Sequence, residues 1–302
     1  MKFSENRDPS NPTTPMDSSS YDTAFAILPA THDRDALRLE YRWLNRDLVD
    51  APIALFLHEG LGSVAMWKDW PQVLCDALGY RGIVYSRPGY GRSTPRPADV
   101  NWPVDFLARQ AHDVLPAFLD ALDISPAERS RMWLIGHSDG GSIALLYAAA
   151  FSNMNALGGA VAIAPHVFVE QISVDCIAQA LVAYRETDLR SKLSAYHDDV
   201  DSAFFGWNTI WLDPAFRSWN ISGELATIAC PLLAVQGHDD EYGTMAQIDA
   251  IQEHVPHAQL VRLDKCGHSP HRQKPAALTA AIVSFVNGRE LDPAAAANRR
   301  PS

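Results

Sequence analysis

No apolar run in the sequence approaches the ~18 residues a membrane-spanning helix needs, so the chain is not expected to cross a bilayer. Cysteine is scarce. Cys75, Cys176, Cys230 and Cys266 show no C-x-x-C spacing and sit in apolar surroundings, which favours buried, reduced thiols over a disulfide or a metal site. No H-E-x-x-H occurs, and neither a metal nor a cofactor is expected. Positive charge is in deficit: 25 Lys and Arg against 36 Asp and Glu leave a net charge of −11. Nucleic acid and anionic membrane both call for basic patches, so neither is expected as a partner. The polar N-terminus lacks the apolar core of a secretory signal. With the reduced thiols, this points to a cytoplasmic location. Residues 1–20 and 291–302, poor in apolar side chains apart from alanine, are expected to be disordered tails.

What the chain does have is a core and an alternation. Of 302 residues, 47% are apolar, ample for a large α/β domain. Ala24–Leu28 and Leu37–Leu44 alternate as strands about a turn at Thr31–Asp35 and predict an antiparallel hairpin. Pro52–Leu57, Gly82–Ser86, Met132–Gly136, Ala160–Ala164, Pro231–Val235 and Gln259–Leu263 are short apolar runs, as strands covered on both faces would be. Helical spacing spans Met66–Leu78, Val104–Leu122, the stretch after Gly141, Met245–His254 and Ala276–Val286. From Val167 to Leu225 the pattern turns helical and aromatic. The reading is therefore α/β: a mainly parallel sheet flanked by helices, formed by 21–166 and 226–290, with a short helical cap inserted at 167–225.

Chemistry gathers at Gly136-His137-Ser138-Asp139-Gly140, a G-x-S-x-G placed between a strand and a helix. A serine hydroxyl is a weak nucleophile, useful only where a tight turn exposes it beside a base and near a helix N-terminus. Two later loops offer the base and the acid that orients it. Gly237-His238-Asp239-Asp240-Glu241 and Cys266-Gly267-His268-Ser269-Pro270-His271 each follow a strand, where loops collect at the carboxyl edge of a parallel sheet. The order is Ser138, an acid among Asp239, Asp240 and Glu241, then His268. One oxyanion donor would be the amide of Asp139, at the positive end of the following helix.

These stretches, with His58-Glu59-Gly60-Leu61-Gly62-Ser63 and Arg87-Pro88-Gly89-Tyr90-Gly91-Arg92-Ser93, resemble the α/β-hydrolases, specifically the small capped esterase and acyl-hydrolase group. The resemblance spans roughly Phe25 to Val286. Its G-x-x-D pattern implies Asp240 as the acid, its G-H pattern His268 as the base, and its H-G-x loop the Leu61 amide as second oxyanion donor. Glu59 interrupts that loop pattern, and Ser86 and Pro88 alter the Arg-Gly stretch, which reads as structural. His271, beyond Pro270, reads as a loop or pocket residue.

Ser138-Asp139-Gly140-Gly141 is similar to the valacyclovir-hydrolase-like branch, which implies an aspartate that recognises a substrate ammonium. The alternative is a carboxylate that only stabilises the helix N-terminus. Glu59, His166, Trp207 and Trp211 are the candidate pocket walls. The resemblance implies a serine esterase with a small-molecule ester substrate; a homodimer stays open. Carbon–carbon bond hydrolases, lactonases and thioesterases share such machinery, and a ligand receptor on the same fold is the non-enzymatic alternative. A haloalkane dehalogenase would need Asp where Ser138 stands, and proline iminopeptidase an absent H-G-G-P-G.

Overall fold

The computed structural model describes residues 22–32, 34–151 and 157–288; both expected tails lie outside the described residues. Eight strands form a sheet among the described residues: β1 (Ala24–Leu28), β2 (Leu37–Leu44), β3 (Ile53–Leu57), β4 (Arg81–Tyr85), β5 (Trp133–His137), β6 (Gly159–Ile163), β7 (Leu232–Gly237) and β8 (Gln259–Leu263). They lie in the order β1-β2-β4-β3-β5-β6-β7-β8. The β1–β2 hairpin and the β2–β4 pairing are antiparallel, and from β4 to β8 every pairing is parallel. β3, β4, β5, β6 and β7 are buried along their whole length, which is why they read as unbroken apolar runs rather than as alternation.

The helices, in chain order, are α1 (Trp70–Leu78), α2 (Phe106–Arg109), α3 (Leu115–Ala121), α4 (Pro126–Arg129), α5 (Asp139–Ala150), α6 (Gln171–Glu186), α7 (Leu189–Leu193), α8 (Val200–Leu212), α9 (Ala246–His254), α10 (Pro270–Gln273) and α11 (Pro275–Val286). They cover both faces of the sheet. Ile53, Leu55 and Leu57 of β3 join a core with α3 and α5, while Ala54 and Phe56 join a second core with α1 and α11. The period of two along one strand feeds both layers. No helix among the described residues is long and apolar enough to cross a membrane.

Two expected helices are interrupted, each beside a proline. Met66–Leu78 splits into a single 3-10 turn, Ala65–Trp67, and α1, with Lys68 at φ 57° between them. Pro71 has no N–H and fits only in a first turn, so the helix restarts at Trp70. Val104–Leu122 stays helical but carries a π turn at Gln110–Val114, where the Leu115 N–H reaches Gln110 O. Pro116 leaves the next rung without a donor, and the wider turn absorbs the mismatch. The cysteines also need correction: all four are free, but only Cys75 and Cys266 are buried. Cys176 lies on α6, its thiol directed at Glu241 O at 2.9 Å, and is half-buried.

Register sets the functional edge. Leu57 pairs with Gly136, His137 with Ile163, and Gly237 with Leu263. The loops after β3, β5, β6, β7 and β8 therefore open on one side of the sheet. α6, α7 and α8 arise between β6 and β7, and residues of each line the cavity at that edge.

Candidate active site

The turn between β5 and α5 holds Ser138 at φ 55°, ψ −120°, a conformation costing a side-chain-bearing residue about 1–3 kcal/mol. What holds it there is close packing. A Cβ on Gly140 would fall 1.9 Å from Leu57 O, so only glycine lets the first turn of α5 sit against β3. Ser138 N donates to Ile163 O at 2.9 Å, and the hydroxyl projects into the cavity.

Three side chains from three loops then meet. Ser138 Oγ lies 2.9 Å from His268 Nε2, and His268 Nδ1 lies 2.9 and 3.0 Å from the two Asp240 oxygens. A carboxylate only accepts, so Nδ1 carries the proton and Nε2 is free to accept the one from Ser138 Oγ. Asp240 is itself fixed, accepting from Tyr242 N at 2.8 Å, Gly243 N at 3.2 Å and Gln236 Nε2 at 2.7 Å. Burial pulls the His268 pKa down, but the Asp240 charge and hydrogen bond outweigh it and the net shift is upward. For Asp240 burial acts upward and is outweighed by the same imidazole, so its carboxyl is held below the usual range. The other two acid candidates are exposed. Glu241 instead accepts the main-chain N–H of His268 at 3.1 Å.

The loop after β3, the candidate oxyanion loop, is framed on both sides. Glu59 O lies 2.7 Å from His58 Nδ1 and accepts Arg87 Nη2 at 2.9 Å and Gly62 N at 3.0 Å. Leu61 O lies 3.0 Å from the buried Nε2 of His197 in the helical insertion. Between these anchored peptides, the Leu61 N–H has no hydrogen-bond partner among the described residues, nor has that of Asp139. Both residues line the cavity. Gly60 gives the insertion its contact here, since a Cβ on it would meet the Trp207 indole at 2.2 Å.

The cavity measures about 60 Å3, and Glu59, His166, Trp207 and Trp211 all contribute to its wall. His166 and Trp211 rings pack edge to face at 4.9 Å, and His166 lies 5.7 Å from the His268 ring. Burial lowers the His166 pKa to about 3, which keeps it neutral. The Asp139 side chain is not open to the cavity's contents. Its Oδ2 meets Arg87 Nη2 at 3.3 Å, both side chains 1% exposed, and its Oδ1 accepts Trp211 Nε1 at 3.2 Å. Burial raises the Asp139 pKa, more than Arg87 and Trp211 lower it.

His271 is a correction. Far from lining the pocket, it is 3% exposed and packs on Trp67 at 5.0 Å and Trp70 at 5.7 Å, because Pro270 starts the short α10 and turns the ring inward. Arg272, on the same turn, faces the cavity instead. Sequence reasoning missed Arg87, Arg272, His137 and His197 as members of the site. Arg87 and His137 lay inside sequence motifs, but at positions to which those motifs assign no role. Among the described residues, no group of three or more His, Cys, Asp or Glu side chains could hold a metal ion.

With this geometry in hand, comparison with known proteins gives one consistent picture. A family model described as "Alpha/beta hydrolase family" matches residues 54–282. Over 266 residues the chain is 27% identical to "Putative carbamate hydrolase RutD" of Pseudomonas savastanoi pv. phaseolicola, spanning 80% of this chain and 95% of that protein. Among solved structures, a thermophilic esterase from Thermogutta terrifontis superposes with a TM-score of 0.65 at 18% identity, over 88% of this chain and 98% of that one. Proline iminopeptidase of Mycobacterium smegmatis superposes with a TM-score of 0.66 at 18% identity, over 88% and 98%. Identities this low speak for a shared fold and not for a shared substrate.

Proposed function

Because the chain belongs to the alpha/beta hydrolase family, we propose that it is a serine hydrolase cleaving carboxylic esters of small, partly apolar acids, with 167–225 as the cap over a core of 21–166 and 226–290. The observation that carries this reading is the continuous contact Ser138–His268–Asp240, at 2.9 Å on each side of the imidazole. Ser138 Oγ attacks the ester carbonyl as His268 Nε2 takes its proton. Asp240 stabilises the imidazolium, and the amides of Asp139 and Leu61 receive the oxyanion. His268 then protonates the departing alkoxide, leaving an acyl-enzyme. Water, deprotonated by the same imidazole, releases the acid.

The size of the cavity argues for the acyl group. At about 60 Å3, with roughly 10–15 Å3 needed per water-sized group, it admits roughly four to six non-hydrogen atoms, and its Trp207 and Trp211 walls suit an apolar one. A fluorophosphonate probe should label Ser138, and p-nitrophenyl acetate to butyrate should turn over with an acyl-enzyme burst. The octanoate should fall at least about tenfold in kcat/KM, as expected where the acyl group has to fit a cavity of this size. Absence of both label and burst would sink the enzymatic reading in favour of a receptor. Carbamates, thioesters, lactones and ring-fission substrates belong in the same panel, the first because of the similarity to the RutD protein. The four free cysteines fit a reducing cytoplasm as the place of action.

The base also fixes a pH signature. His268 must be neutral to accept a proton, so activity falls as pH drops through its pKa. Because that pKa is raised, chiefly by Asp240 against burial, the acid limb of kcat/KM should lie above the ordinary histidine value of about 6.5. Asp240→Asn removes the charge and leaves burial opposed only by the weaker pull of Glu241 and Glu59. Its residual activity, or its rate of probe labelling, should show the limb moved to lower pH. A limb that stays in place would mean that Asp240 does not hold the base.

A further inference from the structure

His137, the residue before the nucleophile, is 1% exposed and takes no direct part in the chemistry just described. Its Nε2 lies 2.6 Å from the main-chain carbonyl oxygen of His268. A carbonyl only accepts, so Nε2 carries the proton and donates. On its other side, Nδ1 faces Glu59 Oε2 at 3.5 Å, an ion-pair distance rather than a close hydrogen bond, and Nδ1 has no other partner. Glu59 Oε1 is in turn 3.6 Å from Arg272 Nη2. Burial acts to raise the Glu59 carboxyl, but the neighbouring His137 and Arg272 outweigh it and hold the carboxyl well below its ordinary range.

We propose that His137, backed by Glu59, is a positioning residue that clamps the main chain of the base. The inference rests on the reading of Ser138 and His268 as nucleophile and base. His268 sits between β8 and α10 with its N–H held by Glu241 Oε2 at 3.1 Å, so His137 supplies the matching hold on the carbonyl. The loop is then fixed at both polar groups of one residue. Glu59 comes from the oxyanion loop, His137 from the elbow and His268 from the base loop, and the pair ties these three into one unit. The imidazole must sit within hydrogen-bond reach of Ser138 Oγ and then of the leaving oxygen, a placement where an error of about 1 Å costs on the order of 100-fold in rate.

The test is a set of three variants measured for kcat, KM and rate of fluorophosphonate labelling. His137→Ala should lower kcat and the labelling rate in parallel by roughly 10- to 100-fold, with KM unchanged within about threefold. His137→Gln places an amide N–H where Nε2 stood and should recover most of the loss. Glu59→Ala, on the half-buried cavity rim, should lower kcat in the same direction and by less; it carries the test if His137→Ala fails to fold. Folded His137→Ala or Glu59→Ala with wild-type kcat would overturn the proposal. So would a His137→Gln no better than alanine, or a loss that falls on KM. A wild-type protein that resists the probe altogether would instead remove the parent reading, and this one with it.

Discussion

Ser138→Ala should fold like the wild type, lose all fluorophosphonate labelling, and lose about 10⁴- to 10⁶-fold in kcat on a short-chain ester. The backbone makes the result clean. At φ 55°, ψ −120° alanine meets the same steric cost as serine, so the substitution removes the Oγ and its 2.9 Å contact with His268 and nothing else of weight. Ser138→Gly makes the complementary point. Glycine adopts this conformation without penalty, so the glycine variant should be equally inactive yet melt higher, by the release of about 1–3 kcal/mol of strain. Thermal melts of the three proteins beside their rates check both halves. Substantial turnover by folded Ser138→Ala would place the nucleophile elsewhere, and a glycine variant that melts no higher would mean that the elbow stores no strain.

That Ser138, His268 and Asp240 could be singled out in the sequence as side chains that would meet follows from how each is placed. Ser138 sits in a turn whose glycines are required by contacts such as Gly140 against Leu57 O, and Asp240 and His268 follow strands that parallel pairing aligns. Local pattern and sheet topology suffice there. The strands were legible for the same reason, since β3 to β7 are buried on both faces and show it in every residue. The supports of the site leave no such trace. His137 and His268 O are brought together across 131 positions, and His197 reaches Leu61 O across 136. Each bond ends on a carbonyl, which every residue carries. Helix interruptions at Lys68 and at Gln110–Val114 were hidden because apolar spacing reports which face is buried, not whether each rung of hydrogen bonds is made. His271 was misplaced for want of knowing which way α10 would turn it.

Replacing Arg87 by methionine should cost about 3–5 kcal/mol of stability, because it leaves a buried carboxylate without its cation. Arg87 Nη2 serves both Asp139 Oδ2 at 3.3 Å and Glu59 O at 2.9 Å, so the same change loosens the loop after β3. The pH dependence has a definite sign. Burial already raises the Asp139 pKa with Arg87 present, and without it the folded-state value rises further above the unfolded one. The folded protein then binds the proton more tightly than the unfolded chain, and stability falls as pH climbs between the two values. The melting deficit of Arg87→Met should therefore be larger at pH 8 than at pH 5. Adding Asp139→Asn removes the stranded charge, so the double variant should be less destabilised than the sum of the singles, by more than the ~0.5 kcal/mol scatter of independent sites. Additive losses would show that the two side chains do not depend on each other. Their dependence bears on substrate choice as well. A carboxylate whose charge is already paired with Arg87, which accepts Trp211 Nε1 and is only 1% exposed, is poorly placed to capture a substrate ammonium, and we infer that Asp139 instead ties Trp211 of the cavity wall to the first turn of α5.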